Sequence, residues 1–112
     1  MFILLIIIFL LAMGLGGYLL SYLWNNKNTP KGVALIHGGM GAVGIILLIV
    51  YSINHPLTFI SVGVFILAAL GGIFLFACDI LGKKIPNVLG AAHGLIAIIG
   101  FVLLVILGLN YF

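Results

Sequence analysis

The sequence predicts an all-α membrane protein in which four transmembrane helices form an up-down-up-down bundle. Of its 112 residues, 66% are apolar, whereas a soluble domain carries charge on about a quarter of its residues. The only formally charged side chains are Lys27, Lys31, Asp79, Lys83 and Lys84. Uncharged runs cover residues 1–26, 32–78 and 85–112, and each is longer than the roughly 20 residues that span a bilayer.

The breaks between and within these runs define four predicted helices. The middle run is too long for one crossing, and Pro56 ends helical geometry at the residue before it. The first run is too long for a signal peptide and lacks a basic start, so it is interpreted as a true span. Short links make sequential helices antiparallel neighbours. The predicted helices are Phe2–Trp24, Gly32–Tyr51, Leu57–Asp79 and Pro86–Asn110.

The lysines predict the orientation of the bundle. All four lie in the links between helices 1 and 2 and between helices 3 and 4. The positive-inside rule places these links in the cytoplasm and both termini outside, in a protein that contacts lipid in a bacterial inner membrane. The oligomeric state, including a homo-oligomer, stays open.

The composition excludes several function classes. Four lysines without any arginine cannot neutralise a nucleic-acid backbone, so no nucleic-acid partner is expected. One carboxylate, Asp79, is too few for paired-carboxylate hydrolysis or a hard-metal site. A single cysteine, Cys78, cannot form an internal disulfide.

The two halves of the chain, residues 1–56 and 57–112, align with each other without a gap. Identical pairs in this register include Lys27 with Lys83, Pro30 with Pro86, His37 with His93, Phe9 with Phe65, and Gly16 with Gly72. The halves are therefore predicted to be two tandem copies of one helical hairpin within a single bundle. Because each copy crosses the membrane twice, the two copies have the same orientation.

His37 and His93 are the candidate functional residues. In the predicted bundle, helices 2 and 4 are diagonal to each other, so both rings are expected to share one depth and to point inward. Each lies about 10 Å below the lysine-bearing surface, at 1.5 Å per residue from its proline. An ionisable side chain inside a membrane is costly and usually has a partner.

Small residues at helical spacing surround the two histidines and leave a slot for a flat macrocycle. These residues are Gly16, Gly41, Gly44, Gly72, Ala97 and Gly100. Haem iron takes imidazole as an axial ligand, and a b-type haem needs no CxxCH site, which this chain lacks. We therefore expect one haem b with His37 and His93 as the metal ligands. Its propionates are expected near Lys27, Lys31 and Lys83.

The segments ALIHGGMGAVG and GAAHGLIAIIG resemble the ligand-bearing helices of the four-helix, bis-histidine transmembrane b-type cytochromes. The resemblance implies axial ligands from diagonal helices, and electron transfer with quinol, superoxide or a protein as the redox partner. Such proteins often hold a second haem near the opposite surface. Helices 1 and 3 contain no histidine here, so only one haem is expected.

Other interpretations remain open. Small residues at four-residue spacing also mark close helix packing, which suits a ligand-free scaffold subunit whose histidines bond across the interior. A small transporter or channel is a further alternative, although the chain has neither the membrane-embedded Glu of small multidrug transporters nor the Arg of small fluoride channels. A copper or zinc site would need ligands beyond the two histidines.

Two ionisable residues outside the pair have their own predictions. His55 is expected to be an exposed loop residue, with proton transfer to an external reductant as its functional alternative. Asp79 is expected to form an ion pair with Lys83, four residues later. Its functional alternative is proton coupling.

Overall fold

The computed structural model describes all 112 residues and consists of four long helices without any strand. The helices are α1 (Phe2–Trp24), α2 (Lys31–Asn54), α3 (Phe59–Ile80) and α4 (Asn87–Leu109). The prediction of four membrane-length helices is confirmed, and α1 has the predicted bounds. Helix α2 continues three residues beyond the predicted end at Tyr51, because the restraint from Pro56 acts on His55 only. A single 3-10 turn, Pro56–Thr58, precedes α3.

Helices α1 and α3 end in the same way. Asn26 and Gly82 follow them in the left-handed conformation, with φ of 54° and 68°. The backbone N–H of Lys27 then donates to Tyr22 O, and that of Lys83 to Cys78 O, each at 2.9 Å. This is the Schellman pattern, which terminates a helix and satisfies its last carbonyls. The chain can therefore turn at once toward the prolines that precede α2 and α4.

The four helices form a ring of neighbours. Helix α1 contacts α2 and α4, and α3 contacts the same two helices, whereas α1 with α3 and α2 with α4 make no direct backbone approach. The pairs α1/α3 and α2/α4 are therefore the diagonals of the bundle. A space can remain along the bundle axis wherever the inward side chains are small.

The two ends of the bundle differ. At one end, here called the terminal end, Phe2 contacts Tyr51 and Phe112, and the Leu57 N–H donates to Tyr111 Oη. The other end carries the links 25–30 and 81–86, with Lys27, Lys83 and Lys84, and the start of α2, with Lys31, and is here called the lysine end. The buried apolar core lies in the half nearer the terminal end, around Phe2, Leu5, Phe9, Leu48, Tyr51, Val62, Phe65 and Leu104. The half nearer the lysine end is hollow.

Most of the bundle surface is apolar. Only 18 of 112 residues are buried, and the exposed side chains of all four helices are largely Leu, Ile, Val and Phe. An apolar surface this large is unstable in water but suits the hydrocarbon region of a bilayer, where the helices satisfy their own backbone groups. The four apolar helices indicate an integral membrane protein in contact with lipid.

Candidate functional site

A cavity of about 440 Å³ lies between the four helices in the half nearer the lysine end. Its lining is mostly apolar, and His37 and His93 are its two histidines. The rings of Phe9 and Phe65 close it toward the terminal end, since they stack with centroids 4.0 Å apart and planes 6° apart. The two stacked rings thus form the floor of the cavity, and the cavity does not continue through the bundle core.

Gly44 and Gly100 make room for that floor. A Cβ on Gly44 would lie 2.9 Å from the Phe9 ring, and one on Gly100 would lie 3.3 Å from the Phe65 ring. Both glycines are buried, and neither lines the cavity. The structure therefore places these two predicted site residues behind the phenylalanines, where they allow the rings to approach α2 and α4.

The imidazoles of His37 and His93 face each other from the diagonal helices α2 and α4. Their ring centroids are 6.0 Å apart, and the ring planes are nearly perpendicular at 87°. Both residues are half-buried, and both line the cavity. No third histidine, cysteine, aspartate or glutamate joins the pair, so a metal ion that requires three such protein ligands has no site here.

Each imidazole is fixed by a hydrogen bond to the neighbouring helix. The Nδ1–H of His37 donates to Ala12 O at 2.8 Å, and that of His93 donates to Ala68 O at 2.7 Å. Because a carbonyl can only accept, Nδ1 must carry the proton in both rings. In the neutral rings Nε2 then carries no proton and has a free lone pair. A neutral imidazole with such a nitrogen is the form that binds a metal.

Gly16 and Gly72 allow the rings to take this position. A Cβ at Gly16 would lie 2.9 Å from His37 Cε1, and one at Gly72 would lie 3.0 Å from His93 Cε1. Each glycine lies four residues after the alanine whose carbonyl accepts the imidazole bond, so both contacts come from one helix face. Any side chain larger than hydrogen would push the ring out of its present place.

The other small residues predicted for the site also line the cavity. Gly41 and Ala97 pair with each other in the sequence alignment of the two halves, and both border the cavity. A Cβ on Gly41 would meet nothing within 4 Å. The lack of a side chain at Gly41 therefore enlarges the cavity, and close packing against another helix does not require a glycine there.

The lysines lie at the cavity end of the bundle without lining it. Lys27, Lys31 and Lys83 are exposed, and none borders the cavity. The polar residues at this end of the cavity are Thr29 and Asp79.

The prediction that Asp79 pairs with Lys83 is wrong. Asp79 Oδ1 accepts from Lys31 Nζ at 2.6 Å, and Oδ2 accepts from the Thr29 hydroxyl at 2.7 Å. Lys83 lies beyond the left-handed turn at Gly82, so it no longer follows the helical i+4 geometry. The only carboxylate of the chain thus ties the first link to the end of α3.

His55 lies in a loop as predicted, between the end of α2 and the 3-10 turn, but the prediction that it is exposed is wrong. Its ring is half-buried at the terminal end, where it stacks on Tyr51 with centroids 3.9 Å apart and meets the edge of Tyr111 at 4.7 Å. Its Nδ1–H donates to Tyr51 O at 2.8 Å. Because α2 is longer than predicted, His55 folds back over the last helical turn.

Two contributors to the site were missed at the sequence level. The carbonyls of Ala12 and Ala68 carry no sequence signal of their own, although their spacing of four from Gly16 and Gly72 marks the same face. The contacts of Asp79 with Lys31 and Thr29 join residues 48 and 50 positions apart. No local pattern predicts such a long-range contact.

Comparison of the chain with models of known protein families, with curated proteins and with solved structures gives no match.

Proposed function

We propose that this protein is a small membrane cytochrome of b type, with His37 and His93 as the two axial ligands of one haem and with electron transfer as its activity. The observation that carries the proposal is the opposed pair of imidazoles, 6.0 Å apart across an apolar cavity. A metal about 2.0 Å from the nearest nitrogen of each ring would separate the ring centres by about 6 Å. The spacing of the pair suits one metal atom between the two rings.

The residues around the pair suit the same role. The bonds from Nδ1 to the Ala12 and Ala68 carbonyls orient both rings and increase the basicity of Nε2. The stacked Phe9 and Phe65 exclude water from the terminal side. A haem with two protein ligands supplies one-electron chemistry and has no open position for oxygen. Electron transfer, with quinol, superoxide or a redox protein as partner, is therefore the proposed activity.

The proposal includes the architecture and orientation predicted from the sequence. Two tandem hairpin copies, residues 1–56 and 57–112, would form an up-down-up-down bundle with the lysine end in the cytoplasm. The paired contacts support this interpretation, because the bond from His37 to Ala12 recurs at the equivalent positions of the second copy, between His93 and Ala68. Lys27 and Lys83 would then attract the propionates at the cytoplasmic side of the cavity.

The decisive experiment is an absorption spectrum of the purified protein, produced with haem supplied and recorded before and after dithionite reduction. We expect a Soret band that shifts on reduction, with resolved α and β bands. His37→Ala and His93→Ala should each abolish the low-spin spectrum. His55→Ala is the matched control, because this third histidine lies at the opposite end of the bundle and should leave the spectrum unchanged.

A colourless wild-type protein under these conditions would refute the proposal. It would also be refuted if haem bound equally well to the wild type and to the double variant His37→Ala/His93→Ala.

One observation favours a second candidate, a ligand-free scaffold subunit. Each histidine already bonds to the neighbouring helix, from α2 to α1 and from α4 to α3, and interhelical hydrogen bonds of this kind stabilise membrane bundles. In a scaffold the substitution of either histidine would lower the free energy of unfolding of a protein that never binds a chromophore. The same spectra, combined with unfolding measurements, distinguish the two functions.

A further inference from the structure

The cavity is open on one side of the bundle, between α2 and α3. On α2 its lining includes Leu35, Gly38 and Gly39, and on α3 it includes Ile73. All four residues are exposed on the outside of the bundle, with Leu35 at 61% and Ile73 at 67% of their full exposure. Residues that border both the cavity and the surface mark a lateral opening toward lipid. A Cβ on Gly38 or Gly39 would meet nothing within 4 Å.

The equivalent side, between α4 and α1, is closed. In the alignment of the two halves, each of the four residues at the opening has a counterpart on α4 or α1, and none of these counterparts lines the cavity. The counterparts are Ala91, Gly94 and Leu95 on α4, and Gly17 on α1.

The α4–α1 side is also closed by packing. Gly90 is buried, and a Cβ there would lie 2.9 Å from a Leu23 methyl and 3.3 Å from a Leu20 methyl. Two otherwise equivalent sides thus differ in whether the cavity reaches the lipid.

The charged residues follow the same asymmetry. Lys31 begins α2, and Asp79 lies near the end of α3, so their ion pair stands at the lysine end of the open side. The equivalent positions on the closed side are Asn87 and Leu23, which carry no charge. The open side therefore combines an apolar gap in the membrane with an ion pair at its edge.

We propose that the opening between α2 and α3 is the route by which haem dissolved in the membrane reaches the histidine pair. Haem is a flat, largely apolar molecule with two carboxylates at one edge. The exposed glycines leave space for its apolar part. Its carboxylates would stay at the lysine end, where Lys27, Lys83 and Lys84 are exposed. This inference rests on the proposed function and adds to it the side from which the site is filled.

The chain offers a matched pair of variants to test the route. Gly38→Leu places bulk in the opening, whereas Gly94→Leu adds the same side chain at the equivalent position of the closed side. Both glycines are helical, and neither has a neighbour within 4 Å of its Cβ position. The measurement is the rate at which ligand-free protein in liposomes acquires the low-spin spectrum from liposomes loaded with haemin.

We expect Gly38→Leu to slow uptake by about tenfold or more, and Gly94→Leu to stay within about twofold of the wild type. Gly39→Leu gives an independent block if Gly38→Leu does not fold, because the equivalent position already holds Leu95. Equal uptake rates for the variants on both sides would overturn the route and leave the proposed function intact. A wild type that never acquires the spectrum would overturn both.

Discussion

The imidazole planes of His37 and His93 stand at 87° to each other. Each ring is held in its orientation by a hydrogen bond to a different helix, so the protein fold sets the angle between the two ring planes. In the proposed haem, perpendicular planes would direct the two imidazoles at different iron d orbitals, which would leave those orbitals almost equal in energy. This angle gives the proposed haem a distinctive magnetic signature.

We predict that the oxidised protein gives a low-spin electron paramagnetic resonance spectrum with one dominant, unusually large g value. Parallel imidazoles would instead give three well-separated signals of ordinary rhombic type. The measurement is a low-temperature spectrum of the wild-type protein, with a soluble bis-histidine cytochrome of parallel ligand planes as the control. A rhombic spectrum would contradict the ring orientation seen here.

The glycines next to the histidines provide a second prediction. Gly16→Ala and Gly72→Ala introduce a methyl group about 3 Å from the imidazole Cε1, which is closer than side-chain carbons normally approach. Each ring must move, so we expect the dissociation constant for haem to rise about tenfold or more, equivalent to about 1.4 kcal/mol. The measurement is a haem titration followed by absorbance.

Gly17→Ala is the matched control for this prediction. Gly17 lies on the same helix, one residue along, and its added Cβ would meet nothing within 4 Å. A helical Gly→Ala change without a clash normally stabilises the helix by about 0.5–1 kcal/mol. If Gly16→Ala and Gly17→Ala bind haem equally well, the close approach of His37 to α1 is not important for binding.

Much of the architecture could be predicted because the relevant signals are local or periodic. Apolar run length and Pro56 were enough to divide the chain into four helices, and the alignment of the two halves places His37 and His93 at equivalent positions. The packing between helices, by contrast, decides which side chains fill the space along the bundle axis. The spacing of small residues therefore groups Gly44 and Gly100 with the cavity glycines, although the structure places them behind Phe9 and Phe65.

The ion pair of Asp79 is a second contact that could not be predicted from the sequence. An i+4 spacing favours Lys83, but that rule holds only while the helix continues, and Gly82 ends it in the left-handed region. The true partner, Lys31, is 48 residues away in sequence and is brought close by the packing of α2 against α3. Sequence spacing alone contains no information on that contact.

A double-mutant cycle tests this assignment. We expect Asp79→Asn and Lys31→Gln to be coupled by about 0.5–1 kcal/mol in the free energy of unfolding in mixed micelles. The value is small because half of the Lys31 side chain is exposed to solvent screening. The same cycle between Asp79→Asn and Lys83→Gln should give no coupling. The opposite ranking of the two cycles would show that the helix-end pair exists in solution.

The stacked rings of Phe9 and Phe65 carry the last prediction. They separate the hollow half of the bundle from its packed core, with only 3% and 4% of their surfaces exposed. Phe9→Ala should therefore leave a void beside Phe65 and Gly44, and we expect a loss of about 3–5 kcal/mol in the free energy of unfolding. Phe74→Ala is the control, because that ring is 56% exposed toward lipid and its removal leaves no internal void. Equal losses in the two variants would mean that the Phe9 ring is not packed in the bundle core.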